Sequence, residues 1–121
     1  MVDNDIYERY GSNISKNHIT LLERLRTKII SIDPKIQENF RRYYISYKIG
    51  KCFVYLWINK DVIWVYLKTN DSFKDPENLC QKVPKGINAT FGKRIRLSKD
   101  SLPYIIKLLN QSFSIAQHDS K

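Results

Sequence analysis

The sequence is poor in the residues from which most active sites are built. It has two histidines, His18 and His118, one near the start of an expected helix and one near the end of the chain. No Ser-His-Asp or Cys-His arrangement can be assembled from them. Of its four glycines, Gly50, Gly86 and Gly92 are isolated, which rules out a glycine-rich phosphate cradle. Its two cysteines, Cys52 and Cys80, have no Cys or His neighbour at metal-ligand spacing, so a zinc site is not expected. They read as reduced, largely buried thiols. The carboxylates are scattered. Asp71, Asp75 and Glu77 come nearest to a metal cluster, but Asp75 and Glu77 are explained more simply as helix-start residues. No group of carboxylates with a lysine suggests a nuclease. The expectation is a non-catalytic protein with no cofactor and no metal. Long apolar runs are missing as well: none approaches the ~18 residues of a membrane span. The acidic start, Met1-Val2-Asp3-Asn4-Asp5, has no hydrophobic stretch and does not read as a signal peptide. A cytoplasmic protein without a membrane partner is expected.

What is present is a globular composition with an excess of one charge. The chain has 121 residues, 42% of them hydrophobic and 27% charged. That length suits one domain burying roughly two-thirds of its unfolded surface. Lys and Arg number 21 against 12 Asp and Glu, a formal net charge of +9. Such a balance suits a polyanionic partner (nucleic acid, an acidic protein or a membrane surface), and it equally serves solubility. The placement of the charge has to decide.

The pattern along the chain is α+β. Residues 1–14 are polar and read as a flexible segment, with Tyr7 and Tyr10 as side chains able to dock. From about Asn17 to Ile32, Leu22, Leu25, Ile29 and Ile32 form one helical stripe. Asp33-Pro34 reads as a stop followed by a short helix or turn to about Asn39. Residues 42–49, 52–58 and 62–69 are rich in Tyr, Ile, Val, Phe and Trp and suit strands. Gly50-Lys51 and Asn59-Lys60-Asp61 leave room only for hairpins, so these runs form an antiparallel meander. Asp75-Pro76-Glu77 predicts a short helix to about Lys82. A loop then leads to a fourth strand over Lys93 to Leu97. Ser98 caps a last helix with the stripe Leu102, Ile105, Ile106, Leu109 and Phe113, and Pro103 lies in its first turns. The expected architecture is a two-layer α+β domain over 15–117, with helices on one face of a mainly antiparallel four-stranded sheet and a frayed tail over 118–121.

Strand register divides the sheet into two unlike faces. A turn at Lys60-Asp61 pairs Ile58 with Ile63, Leu56 with Val65 and Val54 with Leu67 on one face. It pairs Trp57 with Trp64, Tyr55 with Tyr66 and Phe53 with Lys68 on the other. A turn at Gly50-Lys51 adds Ile45 and Tyr47 to the first face. Tyr44, Ser46 and Lys48 then lie opposite Trp57, Tyr55 and Phe53 on the second. Ile95 and Leu97 belong with the aliphatic face, so Arg94 and Arg96 join the aromatic one. The helices cover the aliphatic face. The aromatic face carries no acidic residue, whereas a surface meeting only solvent carries mixed charge and fewer large rings.

Three readings of that face compete. It binds nucleic acid, with Tyr55, Trp57, Trp64 and Tyr66 stacking on bases, Tyr44 beside them, and Lys48, Lys68, Arg94 and Arg96 on phosphates. Arg41 and Arg42 would add charge at the edge. Alternatively, the same residues form a homodimer or protein-docking interface, although self-pairing would bring four basic residues near their copies. Or the chain covers the face itself. Nucleic acid ranks first and the interface second.

Several segments carry a family resemblance. Leu22-Glu23-Arg24-Leu25-Arg26 through Ile32-Asp33-Pro34 resembles a leading helix. Tyr44-Ile45-Ser46-Tyr47-Lys48 with Phe53-Val54 resembles a "YIAYK…FV" hairpin. Asp75-Pro76-Glu77-Asn78-Leu79 resembles a "DP.GL" helix start. Arg94-Ile95-Arg96-Leu97, Leu102 and Leu108 to Phe113 resemble a "V.VRL…DL…LI.Q.Y" ending. Together, over roughly residues 15–115, these are similar to the domain-of-unknown-function family numbered 5655. The resemblance implies a small α+β module, alone or at the end of longer bacterial and archaeal proteins, some of them like restriction or defence nucleases. By that analogy a nuclease-like protein joins the expected partners and a defence association follows. The family supplies no catalytic residue to carry over. The positions of Tyr55, Trp57, Trp64 and Tyr66 are often polar in its pattern. The aromatic residues here are a departure, and they favour a specific partner for this face. A glycine-rich family loop appears here as Gly86 to Gly92.

Overall fold

Ser15 starts the first helix. Its backbone is extended and its hydroxyl accepts the His18 N–H at 3.2 Å, capping one of the donors that a helix start leaves open. The helix, α1, runs Lys16–Ile30, and its end is closed by the Ser31 N–H on the Thr27 carbonyl. Ile19, Leu22, Leu25 and Ile29 recur at three- and four-residue spacing and are buried, while Ile32 is half-buried beyond the helix end. The computed structural model describes residues 10–11, 14–59, 62–83 and 91–119. Tyr7 and the Lys60-Asp61 turn lie outside them, as does most of the Gly86–Gly92 loop. Tyr10 and Ile14, assigned to a polar leading segment, are both buried in the core. The Tyr10 hydroxyl donates to the Arg41 carbonyl at 2.6 Å.

The strands are β1 (Gln37–Phe40), β2 (Tyr44–Ile49), β3 (Lys51–Asn59), β4 (Val62–Leu67), β5 (Gln81–Lys82) and β6 (Lys93–Arg96), and the last helix, α2, is Leu102–Asp119. They form one antiparallel sheet of six strands in the order β1-β2-β3-β4-β6-β5. Four strands were expected, and the two additional ones are the edges. The meander has the expected register over most of its length: Ile58 faces Ile63, Leu56 faces Val65, Val54 faces Leu67 and Ile45 faces Leu56.

Both edge strands replace an expected helical segment, for identifiable reasons. After one turn closed on Asp33, with the Lys35 N–H on its carboxylate at 2.8 Å, the chain enters β1. Glu38 and Phe40 are the inward residues of β1, and the Glu38 carboxylate takes Arg26 of α1 in a two-pronged ion pair at 2.6 and 2.8 Å and the Tyr47 hydroxyl at 2.7 Å. A carboxylate pointing inward breaks the apolar alternation by which a strand is read. In the second case Asp75 caps a turn and not a helix. Its carboxylate accepts the Leu79 and Cys80 N–H groups at 3.2 and 2.9 Å, and its carbonyl takes Asn78 N–H at 2.9 Å. Asn78 is left-handed, with φ 55°, a conformation that ends helical propagation. Two residues of β5 follow. The Asp75 carboxylate also accepts the Tyr104 hydroxyl of α2. Burial works against its charge, but the Tyr104, Cys80 and Leu79 donors outweigh it and hold Asp75 below its usual range. Burial and then Asp75 push the Cys80 thiol up to about 12.

α2 starts where expected: the Ser98 hydroxyl accepts the Ser101 N–H at 3.0 Å, and the Ser98 carbonyl takes the Leu102 N–H at 3.0 Å. It lies across β3 and β4 and packs beside α1. Leu102, Ile105 and Leu109 of its expected stripe are buried, together with Tyr104, Leu108, Ile115 and Ala116, and Ile106 and Phe113 are flanking. The layer of helices thus buries one face of the sheet, and neither long helix lies on the other.

Candidate nucleic-acid interface

Alternation along β2, β3, β4 and β6 sends every second side chain to the face away from the helices. Cross-strand pairing lines these side chains into two rows. One runs Tyr44–Trp57–Trp64–Arg96 and the other Ser46–Tyr55–Tyr66–Arg94. Each row ends in a guanidinium on β6.

The rings are packed as a connected set. Tyr55 stacks on Tyr66 at 4.5 Å with planes 3° apart. Tyr44 and Trp57 lie 6.2 Å apart at 14°, and Tyr44 meets Tyr55 edge-on at 5.8 Å. Phe91 sets its edge on Tyr55 at 4.9 Å and is itself 2% exposed. The chain therefore covers part of this face with one of its own side chains. Two clefts, of about 380 and 340 Å³, flank the Tyr55–Trp57 ridge. The first is lined by Tyr44, Ser46, Cys52 and Phe91, the second by Asn59, Trp64, Tyr66 and Arg94. No acidic side chain lines either cleft among the described residues.

The residues singled out in the sequence separate into three groups. Trp57 is 37% exposed, and Arg41, Arg42, Lys48 and Arg96 are exposed. Tyr44, Tyr55, Trp64 and Arg94 are half-buried and line the clefts. Tyr66 and Lys68 are 4% and 6% exposed, so the first is a floor and not a stacking surface. Lys68 is withdrawn from the solvent that a phosphate contact needs. It stands just past the end of β4, where the chain leaves the pleat, and its N–H is held by the Phe53 carbonyl at 3.1 Å.

Phe53 departs from the expected face altogether. A register shift at Tyr47/Lys48 puts Cys52, and not Phe53, opposite Lys48. Phe53 is thus the additional residue of a bulge. Its side chain is fully buried and packs edge-on against Phe113 of α2 at 5.4 Å. The same shift brings Cys52 to the open face. Burial pushes its thiol up, against the opposing influence of its backbone hydrogen bonds and of Lys68 and Lys48.

Sequence reasoning missed Tyr43, Cys52 and Phe91. Tyr43 is 53% exposed and lies 6.2 Å from Trp57, with the Arg42 guanidinium 5.4 Å from its ring. Tyr43 was assigned to neither face, and regular pairing starts only at Tyr44. The run Arg41-Arg42-Tyr43-Tyr44 was the available signal.

Arg94 has the most distinctive surroundings. Its guanidinium carbon lies 4.1 Å from the Trp64 centroid and 5.9 Å from that of Tyr66. Nη1 donates to the Tyr66 hydroxyl at 3.1 Å, and the buried Nε has no hydrogen-bond partner. Burial pushes the neighbouring Tyr55 phenol up to about 12, with smaller contributions from Tyr66, Cys52 and Tyr44, so Tyr55 is neutral at physiological pH and adds no negative charge. The arrangement offers flat rings, hydroxyl and guanidinium donors, and positive charge with no acidic side chain lining the clefts among the described residues. Among the described residues, no group of three or more His, Cys, Asp or Glu is placed to hold a metal ion. Nor is any helix long and apolar enough to cross a membrane.

Comparison with known proteins gives one family. The family model for a domain of unknown function, DUF5655, matches residues 8–116. Neither the curated proteins nor the solved structures give a match.

Proposed function

The chain belongs to the DUF5655 family, and we propose that it is a non-catalytic module binding single-stranded nucleic acid on the open face of its sheet. The observation that carries this reading is the Tyr44–Trp57–Trp64–Arg96 row, with exposed Arg41 and Arg42 beyond its other end. A strand laid along that row crosses from β2 to β6, three strand spacings or about 14 Å. Its bases meet Tyr43, Tyr44, Trp57 and Trp64, and its phosphates meet Arg41, Arg42, Lys48 and Arg96. Stacking contributes roughly 1–3 kcal/mol per base and tolerates any sequence, because every base has a π-face. Duplex DNA keeps its bases stacked inside and offers the rings nothing.

The test is fluorescence anisotropy of labelled single-stranded and duplex oligonucleotides over a salt series. Four phosphate contacts predict a slope of log affinity against log salt of about −3 for a single strand. Trp57→Ala should weaken binding at every salt concentration while the far-UV spectrum stays native. Absence of binding at low salt would remove the reading. The exposed pair Tyr43 and Trp57 also suits a second copy or another protein. A mass that doubles in solution, insensitively to salt and lost in Trp57→Ala, would assign the face to that use.

A further inference from the structure

Resting on the nucleic-acid reading, we infer that the cleft between Trp57, Trp64, Tyr66 and Arg94 is a pocket for one unpaired base and selects guanine. The cleft of about 340 Å³ lies at the small end of ligand sites, the size for a single nucleotide. Its walls are rings, and its polar groups are few and placed at the edge: the Arg94 guanidinium, the Tyr66 hydroxyl and Asn59.

Arg94 determines the selection. An arginine half-buried in a protein is ordinarily neutralised by a carboxylate, as Arg26 is by Glu38. Among the described residues, no acidic side chain lines the Arg94 cleft. Its guanidinium is held over Trp64 and tied by Nη1 to Tyr66, with Nε buried behind. The part of the fork not used by Tyr66 offers donors only, since a guanidinium has no acceptor. It fits a ligand edge with two neighbouring acceptors. Among unpaired bases two edges meet that requirement, O6 and N7 of guanine and O2 and N3 of cytosine, and the larger guanine gains more from the ring walls. Adenine sets an amino group beside N7. A phosphate also has paired acceptors, but in a cleft walled by rings it would lose hydration without gaining stacking, and a base gains it. Phosphates belong to the exposed arginines at either end.

The experiment uses the intact chain and a dT oligonucleotide in which one central residue is replaced by dG, dC, dA, 7-deaza-dG or inosine, alongside a 5′-phosphorylated dT oligonucleotide. The single dG should raise affinity about tenfold over dT. Inosine, which keeps O6 and N7, should retain the gain, and 7-deaza-dG, which lacks N7, should lose most of it. In Arg94→Lys, folded by its far-UV spectrum, the dG and dT affinities should converge, because an ammonium cannot make the paired contact. Equal affinities for dG, dA and dT in the wild-type chain, or a gain from dC as large as that from dG, would overturn guanine selection and leave general binding standing. A gain from the 5′-phosphate as large as that from dG would overturn it too, by giving Arg94 a terminal phosphate. If none of the oligonucleotides binds at low salt, the parent reading falls with it.

Discussion

Two arginines on opposite faces of one sheet show how the fold divides its charge. Arg26 reaches from α1 to Glu38 on β1 and closes a two-pronged ion pair that also holds the Tyr47 hydroxyl. That charge is consumed in attaching a helix to an edge strand. Arg94 lies on rings and one phenol, in a cleft that no acidic side chain lines among the described residues. The first face is closed by aliphatic packing and a neutralised charge. The second combines rings with guanidinium groups on β6. A substitution should therefore cost stability on the first face and binding on the second.

The largest expected effect follows from the closed face. Leu56 on β3 is fully buried, and Leu56→Ala should lower the unfolding free energy by roughly 2–5 kcal/mol, read from urea denaturation. Trp57, its neighbour in sequence, points the other way, and Trp57→Ala should cost less than about 1 kcal/mol. Equal losses would erase the distinction between the faces. Next, Glu38→Gln removes the carboxylate that Arg26 and Tyr47 share and should cost about 2–3 kcal/mol. Arg94→Gln should cost less, because no ion pair is broken.

A smaller effect separates the two by pH. Asp75 has a folded pKa below its unfolded one, opposed by burial but set by donors from Tyr104, Cys80 and Leu79. Its contribution is therefore complete above the unfolded value of about 3.9 and is lost as pH falls through the lower folded value. Asp75→Asn should lower stability at neutral pH by roughly 1–2 kcal/mol and flatten the acid limb of the stability curve. A double variant with Trp57 and Trp64 both changed to Ala should keep the wild-type acid limb. The smallest effect expected is Arg42→Ala, nearly silent in stability, with the salt slope of oligonucleotide binding less steep by about 0.7.

The central strands and both long helices were legible because their apolar residues alternate or recur without interruption. Register followed as well, since a one-residue slip would have sent Leu56 and Val65 to solvent. The edges were not legible. β1 hides behind Glu38, an inward carboxylate whose partner is far away in sequence, and β5 is too short to show any period. Asp75-Pro76 carries the residues of a helix start, yet Asn78 turns left-handed and the carboxylate caps a turn. The open face was read with one parity error: alternation has no means of counting the additional residue at Phe53, so that ring was placed outside. Lys68 was placed by continuing β4 one residue past its end. Most of the aromatic row, and the guanidinium at its end, could be read directly from the strands.

The two edges have a consequence for how copies of this domain behave when crowded together. A long, bare edge would invite neighbouring copies to join their sheets and polymerise. Here one border is four residues long, between Lys35 and Arg41, and the other is two residues ending in Lys82. Each offers little backbone and meets its copy with like charge. If the proposed reading holds, neighbours brought together on a polyanion should stay separate particles, and their array should dissolve when its template does.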